Sequence, residues 1–286
     1  MKKLLTLSLA LALVVALLCA GSPAAFAAKN TTFIMGIDAE YPPFSFMDVN
    51  GDYSGFDVEV CKAVCDKLGW KLEVFPVNWD NKLIQLDAGE CDCVWSGMTI
   101  LDSMKEAGYV LSAPYYDNKQ IILVKADSDI ASSGDLKGKR VAVELGTSGE
   151  KLLKGDLAAL TETFDELVTC DSFLKCFTEL DGNGVDAVVV DKPVAEDYVA
   201  EHEGFTIINE ILGYEQYGIA FRSGDQELCD AVEAAVAELV ADGTYAEIAA
   251  NYPRIIDDLR FLYSAADDGV VASDCVEAAA AVDSAA

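Results

Sequence analysis

The stretch Cys91-Asp92-Cys93-Val94-Trp95-Ser96-Gly97-Met98-Thr99, with Met104 a few residues on, decides how this chain is read. A short apolar run bounded by polar residues reads as a buried strand over 91–95. It gives way to small and hydroxylated residues at Ser96, and a helical pattern starts near Asp102. A strand that ends in Ser-Gly-x-Thr ahead of a helix gathers backbone N–H groups and two hydroxyls at one point. That is a place to hold a small polar solute. No arginine follows it, although a carboxylate-binding site would gain from one there.

Outward from this stretch, strand and helix patterns alternate. Residues 33–38 read as a strand, and Pro42-Pro43 breaks the pattern. Residues 57–68 read as a helix with Val60, Val64 and Leu68 on one face and Gly69 as its stop. A strand over 71–77, a helix over 80–88 and the strand over 91–95 complete a first α/β unit. A second unit follows a strand over 120–124. It has a strand over 140–145, then Gly146-Thr147-Ser148-Gly149-Glu150 leading into a helix through 160, with Thr147 and Glu150 at capping-box spacing. A helix over 173–180, an apolar strand over 185–190 ending at Asp191, and a helix opened by Pro193 come next. A strand over 216–221 and helices over 228–239 and 245–251 finish the pattern. Alternation of this kind predicts an α/β fold with a mostly parallel sheet.

The start of the chain has the layout of a secretory signal peptide: Lys2 and Lys3, an uncharged stretch over 4–28, Pro23, and the small-residue site Ala25-Phe26-Ala27. Cleavage after Ala27 makes 1–27 a leader and the mature protein exported, periplasmic or cell-envelope associated. Cys19 is the alternative, a lipid-attachment cysteine, but bulky Leu18 before it disfavours that processing. About 260 residues then remain, enough for two modest domains. The net charge of −29 argues against nucleic acid and anionic membranes as partners, since phosphate is repelled. Nine cysteines include Cys170 and Cys176, whose spacing permits a bridge, while Cys61/Cys65 and Cys91/Cys93 are poorly placed to bridge themselves. His202 is the lone histidine and lies in a polar run, so neither a zinc pattern nor a nucleophile–histidine arrangement is present, and no cofactor or metal is expected. The tail over 263–286, rich in Ala, Asp, Val and Ser, reads as loosely attached.

Several further patterns occur in one order. They are Gly36-Ile37-Asp38-Ala39-Glu40-Tyr41-Pro42-Pro43-Phe44, Gly55-Phe56-Asp57-Val58-Glu59, Asn78-Trp79-Asp80, Gly89-Glu90-Cys91-Asp92 and Ser96-Gly97-Met98-Thr99-Ile100. Leu136-Lys137-Gly138-Lys139-Arg140-Val141-Ala142-Val143, Gly146-Thr147-Ser148, Gly184-Val185-Asp186-Ala187, Tyr217-Gly218-Ile219-Ala220-Phe221 and Asp242-Gly243-Thr244-Tyr245 follow. From Thr32 to Pro253 the chain resembles the polar amino-acid class of bacterial extracellular solute-binding proteins, which serve ABC importers. The resemblance implies a type II, two-lobed periplasmic-binding-protein-like fold with two crossover strands as a hinge and the ligand in the interlobe cleft. Lobe 1 would be 32–118 plus 216–262 and lobe 2 would be 119–215, with crossovers near 119–124 and 214–218. Partners would be a small amino acid or amine and the importer's permease subunits, and the protein would be a monomer and not an enzyme.

The resemblance also assigns roles. Tyr41 and Trp79 match the family's aromatics that flank the ligand. Ser96, Gly97 and Thr99 match the strand-end grip on an α-carboxylate, and Thr147 and Ser148 match the facing grip on the second lobe. Asp191 matches the acid for the ligand's α-ammonium, and Asp38 stands where it would face the ligand's side chain. Two positions depart from the pattern. Met104 replaces the usual carboxylate-binding arginine five residues after Thr99, and Glu144 stands where some members carry lysine. Both changes make the cleft more acidic, so a cationic solute and an ordinary amino acid are the two ligand readings. The alternative function is an exported cyclohexadienyl-dehydratase-like enzyme on the same fold, with Glu144 as its acid.

Overall fold

Phe33, Met35 and Ile37 recur with a period of two on one face of the first strand, β1 (Thr32–Ile37), and its last three residues are all buried. The computed structural model describes residues 31–260; the expected leader with Cys19 and the tail from 263 with Cys275 lie outside the described residues. Three short strands, β2 (Glu40–Tyr41), β3 (Ser45–Met47) and β4 (Tyr53–Ser54), form a small separate sheet that carries Tyr41. Helix α1 (Phe56–Leu68) buries Phe56, Val60 and Val64, and stops where Gly69 adopts φ 72°, the left-handed turn glycine enters at no steric cost. Strand β5 (Lys71–Pro76) pairs in parallel with β1. A single turn at Trp79–Asn81 leads into α2 (Lys82–Asp87).

Strand β6 runs over Cys93–Thr99, so it continues straight through Ser96-Gly97 rather than ending at Trp95. Its partner explains the difference. Thr99 pairs with Tyr217 and Met98 with Gly218 on an antiparallel neighbour, and the register then shifts between Gly218 and Ala220. Gly97 takes φ 53° there, so the residue that reads as a strand end marks an irregularity inside a longer strand. After it come α3 (Asp102–Glu106) and β7 (Val110–Leu111).

The long strand β8 (Tyr116–Lys125) leads to the second parallel unit: β9 (Arg140–Glu144), α4 (Ser148–Lys154), α5 (Ala158–Thr161), β10 (Glu166–Cys170), α6 (Phe173–Asp181), β11 (Ala187–Asp191) and α7 (Lys192–Glu201). The single helix read through 160 is two helices, because Gly155 ends α4 at φ −112°, ψ −100°, outside helical geometry. Cys170 and Cys176 are free thiols, one hydrogen-bonded to the other across the β10–α6 connection. The chain returns through β12 (Phe205–Ile207) and β13 (Gly213–Phe221), and closes with α8 (Gln226–Asp242) and α9 (Thr244–Ala249).

The main sheet follows the order β10-β9-β11-β8-β13-β6-β1-β5. β1, β5 and β6 are parallel, and so are β9, β10 and β11. Between these two sets β8 and β13 run antiparallel to each other, from Gly213 opposite Gln120 to Tyr217 opposite Tyr116. Two α/β lobes are therefore joined through a pair of long strands, the type II architecture. Among the described residues no helix is long and apolar enough to cross a membrane.

Candidate functional site

The carboxyl ends of parallel strands in open α/β sheets leave a crevice where ligands bind. Here those ends carry Thr99 on β6, Glu144 on β9 and Asp191 on β11, with Asp38 one residue beyond β1. A cavity of about 220 Å³ opens between the lobes, walled by Tyr41, Trp79, Lys82, Gly97 and Thr99 from one side and by Gly146, Thr147, Ser148 and Asp191 from the other. Asp38 and Trp79 also border a more open recess of about 510 Å³ beside it. Ser96 and Glu144 line neither space.

Asp191 is 4 % exposed, and its Oδ1 accepts from Gln120 Nε2 at 2.6 Å, from the Tyr217 hydroxyl at 2.9 Å and from Asn118 Nδ2. The same two amides also donate to Glu215 Oε1, Asn118 at 2.5 Å and Gln120 at 2.8 Å. Register explains the cluster: Asp191 is opposite Gln120 across β11–β8, and Glu215 is opposite Asn118 across β13–β8. Two carboxylates thus share one pair of amide donors. Burial, and then the Glu215 charge, push the Asp191 carboxyl well above the usual carboxylate range. Turning either amide over would set its carbonyl against both acids, so the acids fix the amide orientation. This leaves Asn118 Oδ1 and Gln120 Oε1 as buried acceptors without a donor.

The second acid pair is Asp38 with Glu144, one from each lobe. Glu144 is 1 % exposed, and the Asp38 carboxyl is its side-chain hydrogen-bond partner. Burial and the nearby Asp38 charge raise its pKa well above normal; Asp38 is raised too, chiefly by burial. Lys82 is the buried cation among these acids. Its ammonium donates to Trp79 O at 2.9 Å and across the cleft to Gly146 O at 2.7 Å, and lies 4.4 Å from the Trp79 ring centre. Burial lowers its pKa to about 8, against the pull of Glu144, Asp80 and Asp38.

Most of the groups read from the sequence as a carboxylate grip are engaged within the protein, Ser148 only as an acceptor. Ser96 is fully buried; its Oγ accepts from Asp38 N–H at 3.0 Å and lies 2.6 Å from Ser45 Oγ, tying β6 to the end of β1. Gly97 N–H donates to Asp57 Oδ2 at 2.8 Å. Thr99 donates to Glu215 Oε2 at 2.8 Å. Thr147 donates to Glu144 O at 2.7 Å and caps α4 by accepting from Glu150 N–H at 3.2 Å. Ser148 Oγ accepts from Gln120 Nε2 at 3.0 Å. Tyr41 is placed by its hydroxyl, 2.7 Å from that of Tyr217, and a side chain at Gly97 would collide with its ring.

Over residues 33–254 the chain matches the family described as bacterial extracellular solute-binding proteins, family 3. The chain belongs to this family. Three proteins illustrate where this family member sits. It is 33 % identical to the L-cystine-binding protein TcyJ of Escherichia coli (strain K12) over 220 residues, covering 76 % of this chain and 80 % of that protein. An ancestral arginine-binding protein bound to arginine shares 38 % identity with a TM-score of 0.71, covering 77 % of this chain and 97 % of the other. An ancestral amino acid-binding protein, a precursor of cyclohexadienyl dehydratase, shares 35 % identity with a TM-score of 0.70, covering 77 % and 95 %.

Glu215, Lys82, Asn118 and Gln120 were not among the residues singled out in the sequence. Asn118 and Gln120 had a signal: two polar residues at i and i+2, hence on one face of a strand, just ahead of an apolar run. Asp57 is a further one. It sits fully buried in the first turn of α1, holding Gly97 N–H and the Tyr115 hydroxyl (2.7 Å) on one oxygen, with the Trp95 side chain as a further hydrogen-bond partner. Burial raises its pKa from 3.8 to about 7. A raised folded pKa means the native state binds the extra proton between pH 4 and pH 7, so this group lowers stability progressively as pH rises through that window and by a constant amount above it. The slope is on the order of 1 kcal/mol per pH unit. Asp57→Asn keeps an acceptor for Gly97 and removes the titration. The expected result is a stability difference between variant and wild type that moves in the variant's favour from pH 4 to pH 7, read from urea midpoints at both; a difference independent of pH would contradict it.

Proposed function

We propose that this chain is the exported, monomeric solute-binding component of an ABC importer, closing its lobes on a small solute of the amino-acid class that carries an ammonium or guanidinium group. The observation that carries this is Asp191, buried and lining the cavity, paired through shared amide donors with half-buried Glu215, a pair that lacks a cation of its own among the described residues. A ligand cation there replaces like-charge repulsion with charge-assisted hydrogen bonds. Tyr41 and Trp79 flank the solute, and Ser148 with Thr147 closes over it from the second lobe. The names of the relatives, binding cystine and arginine, support the solute class.

Calorimetric titration with L-arginine, L-lysine, polyamines and neutral amino acids tests the reading. Binding of at least one cationic solute is expected. Binding of glutamate or aspartate with none for cations would sink it. A buried Glu144 that keeps its proton has the property a dehydratase's general acid needs, but the surrounding carboxylates repel a dianionic substrate. Incubation with prephenate or arogenate is expected to yield no product, and turnover would replace the binding reading with the enzymatic one.

A further inference from the structure

An α-amino acid carries its ammonium and its carboxylate on one carbon, so a seat for the first limits where the second can fall. Asp191 and Ser148 both line the cavity, and both accept from the same Gln120 Nε2, at 2.6 Å and 3.0 Å. An ammonium on Asp191 therefore brings the neighbouring carboxylate within reach of Ser148. The Ser148 oxygen gives Gln120 only a lone pair, and its own proton has no acceptor among the described residues. The other donors at this end are committed. The Thr99 hydroxyl is on Glu215, the Gly97 N–H is on Asp57, and the Thr147 hydroxyl is on the Glu144 carbonyl.

A carboxylate held so close to a buried acid needs a cation to offset the repulsion. Position 104 supplies none, since Met104 is 3 % exposed in an apolar cluster with Leu86, Val94 and Met98. None of the four arginines lines the cavity, and each is paired elsewhere: Arg140 with Asp186, Arg222 with Asp92, Arg254 with Asp197 and Arg260 with Asp117. Three lysines do line it. The Lys82 ammonium is held between the Trp79 and Gly146 carbonyls, and Lys154 is paired with Glu150 at 2.6 Å. Lys151 is exposed and has no ion pair or side-chain hydrogen bond among the described residues. It stands three residues after Ser148 in α4, hence on the same helix face.

We propose that Lys151, together with the Ser148 hydroxyl, holds the solute's α-carboxylate and takes the place of the arginine absent at position 104. This rests on the importer reading above and narrows its solute to one that keeps its α-carboxylate. The grip then moves from the first α/β unit, where position 104 lies, to the second, where Asp191, Ser148 and Lys151 all lie. One unit thus holds both charges of the amino-acid head, and Tyr41 and Trp79 of the other give its stem two aromatic walls. Lys151 reaches the solute without giving up a contact within the protein.

The test is calorimetric titration of the mature protein with three amino acids, each beside the amine that lacks only its carboxylate: L-arginine with agmatine, L-lysine with 1,5-diaminopentane, and L-glutamine with 4-aminobutanamide. In each pair that binds, the amino acid is expected to be at least about tenfold tighter than the amine. Lys151→Met is expected to weaken the amino acid about tenfold and to leave the amine within about twofold, and Lys151→Arg to keep the wild-type preference. Lys154→Met, which removes the neighbouring cavity-lining cation, leaves the preference unchanged. An amine that binds as tightly as its amino acid overturns the proposal and leaves the importer reading standing. A Lys151→Met protein that weakens amine and amino acid alike overturns it, since the side chain then acts on closure or folding rather than on the carboxylate. One that keeps the full preference overturns it as well and assigns the carboxylate to Lys82. If only the L-glutamine pair binds, the cationic reading falls, and Lys151 is judged on that pair by the same criteria. Silence towards all six overturns the proposal and the solute class together.

Discussion

Asp191→Asn is expected to lower affinity for a cationic solute by about 2–5 kcal/mol and, in the same protein, to raise the melting temperature of the empty form. Both effects come from one geometry. Asp191 lies beside Glu215, sharing its amide donors, and burial together with that second acid lifts its pKa well above normal. At neutral pH the unliganded protein therefore either ionises a carboxyl in a dry, acidic site or keeps a proton it would rather release. Asparagine removes this cost: its carbonyl still accepts from Gln120, Asn118 and Tyr217, and its amide group donates towards Glu215. The solute, however, loses the ion it was bound to. The sign follows from linkage. A carboxyl raised in the folded state destabilises progressively as pH rises above its unfolded value near 4, so the melting-temperature gain of the variant grows from pH 4 upward and vanishes below it. Thermal melts at pH 4 and pH 7, with titrations of agmatine and L-arginine at pH 7, read both. Affinity within threefold of wild type would remove Asp191 from the ligand's contacts.

The parts of the fold visible in the sequence are those set by local rules. Helix α1 was legible because Val60 and Val64 recur at helical spacing and Gly69 stops the pattern; β11 was legible as an apolar run ending in an acid before Pro193. What local rules missed depended on partners distant in the chain. β6 continues past Trp95 only because Tyr217 and Gly218 pair with Thr99 and Met98, and no window around Gly97 contains that information. α4 ends at Gly155 because the chain turns there before β10. The site divides in the same way. Tyr41, Trp79, Gly97, Thr99, Thr147, Ser148 and Asp191 were named from the sequence and the fold gathers them around one cavity. Their hydrogen-bond allegiances were not legible. That Thr99 donates to Glu215, and Gly97 to Asp57, follows from three-dimensional register, and those allegiances turn an apparent carboxylate grip into an acidic floor.

Gly146→Ala is expected to weaken solute binding up to about 150-fold while costing the fold only about 1–2 kcal/mol. Gly146 has φ 77°, and a methyl added there would stand 2.6 Å from Asp80 Cα and 3.1 Å from Asp80 N. Asp80 belongs to the opposite lobe's Trp79–Asn81 turn, so this contact exists only when the lobes are together. The two costs therefore separate. The left-handed backbone penalty, roughly 1–2 kcal/mol for a residue with a Cβ, applies whether the cleft is open or closed and appears as lost stability. The overlap applies only to closure. Its neighbours are main-chain atoms that cannot rotate away, so the upper end of the roughly 1–3 kcal/mol typical of overpacking applies, which becomes a loss of affinity because binding and closure are coupled. Gly138→Ala is the matched control: φ is 72° and nothing lies within 4 Å of the added methyl. Both variants should melt earlier by similar amounts, but only Gly146→Ala should lose affinity for agmatine or L-arginine and keep the dimensions of the empty protein in small-angle scattering when the solute is added. Equal affinities in the two variants would mean that Gly146 and Asp80 do not meet in the bound state, and that the solute is held by lobes that stay apart.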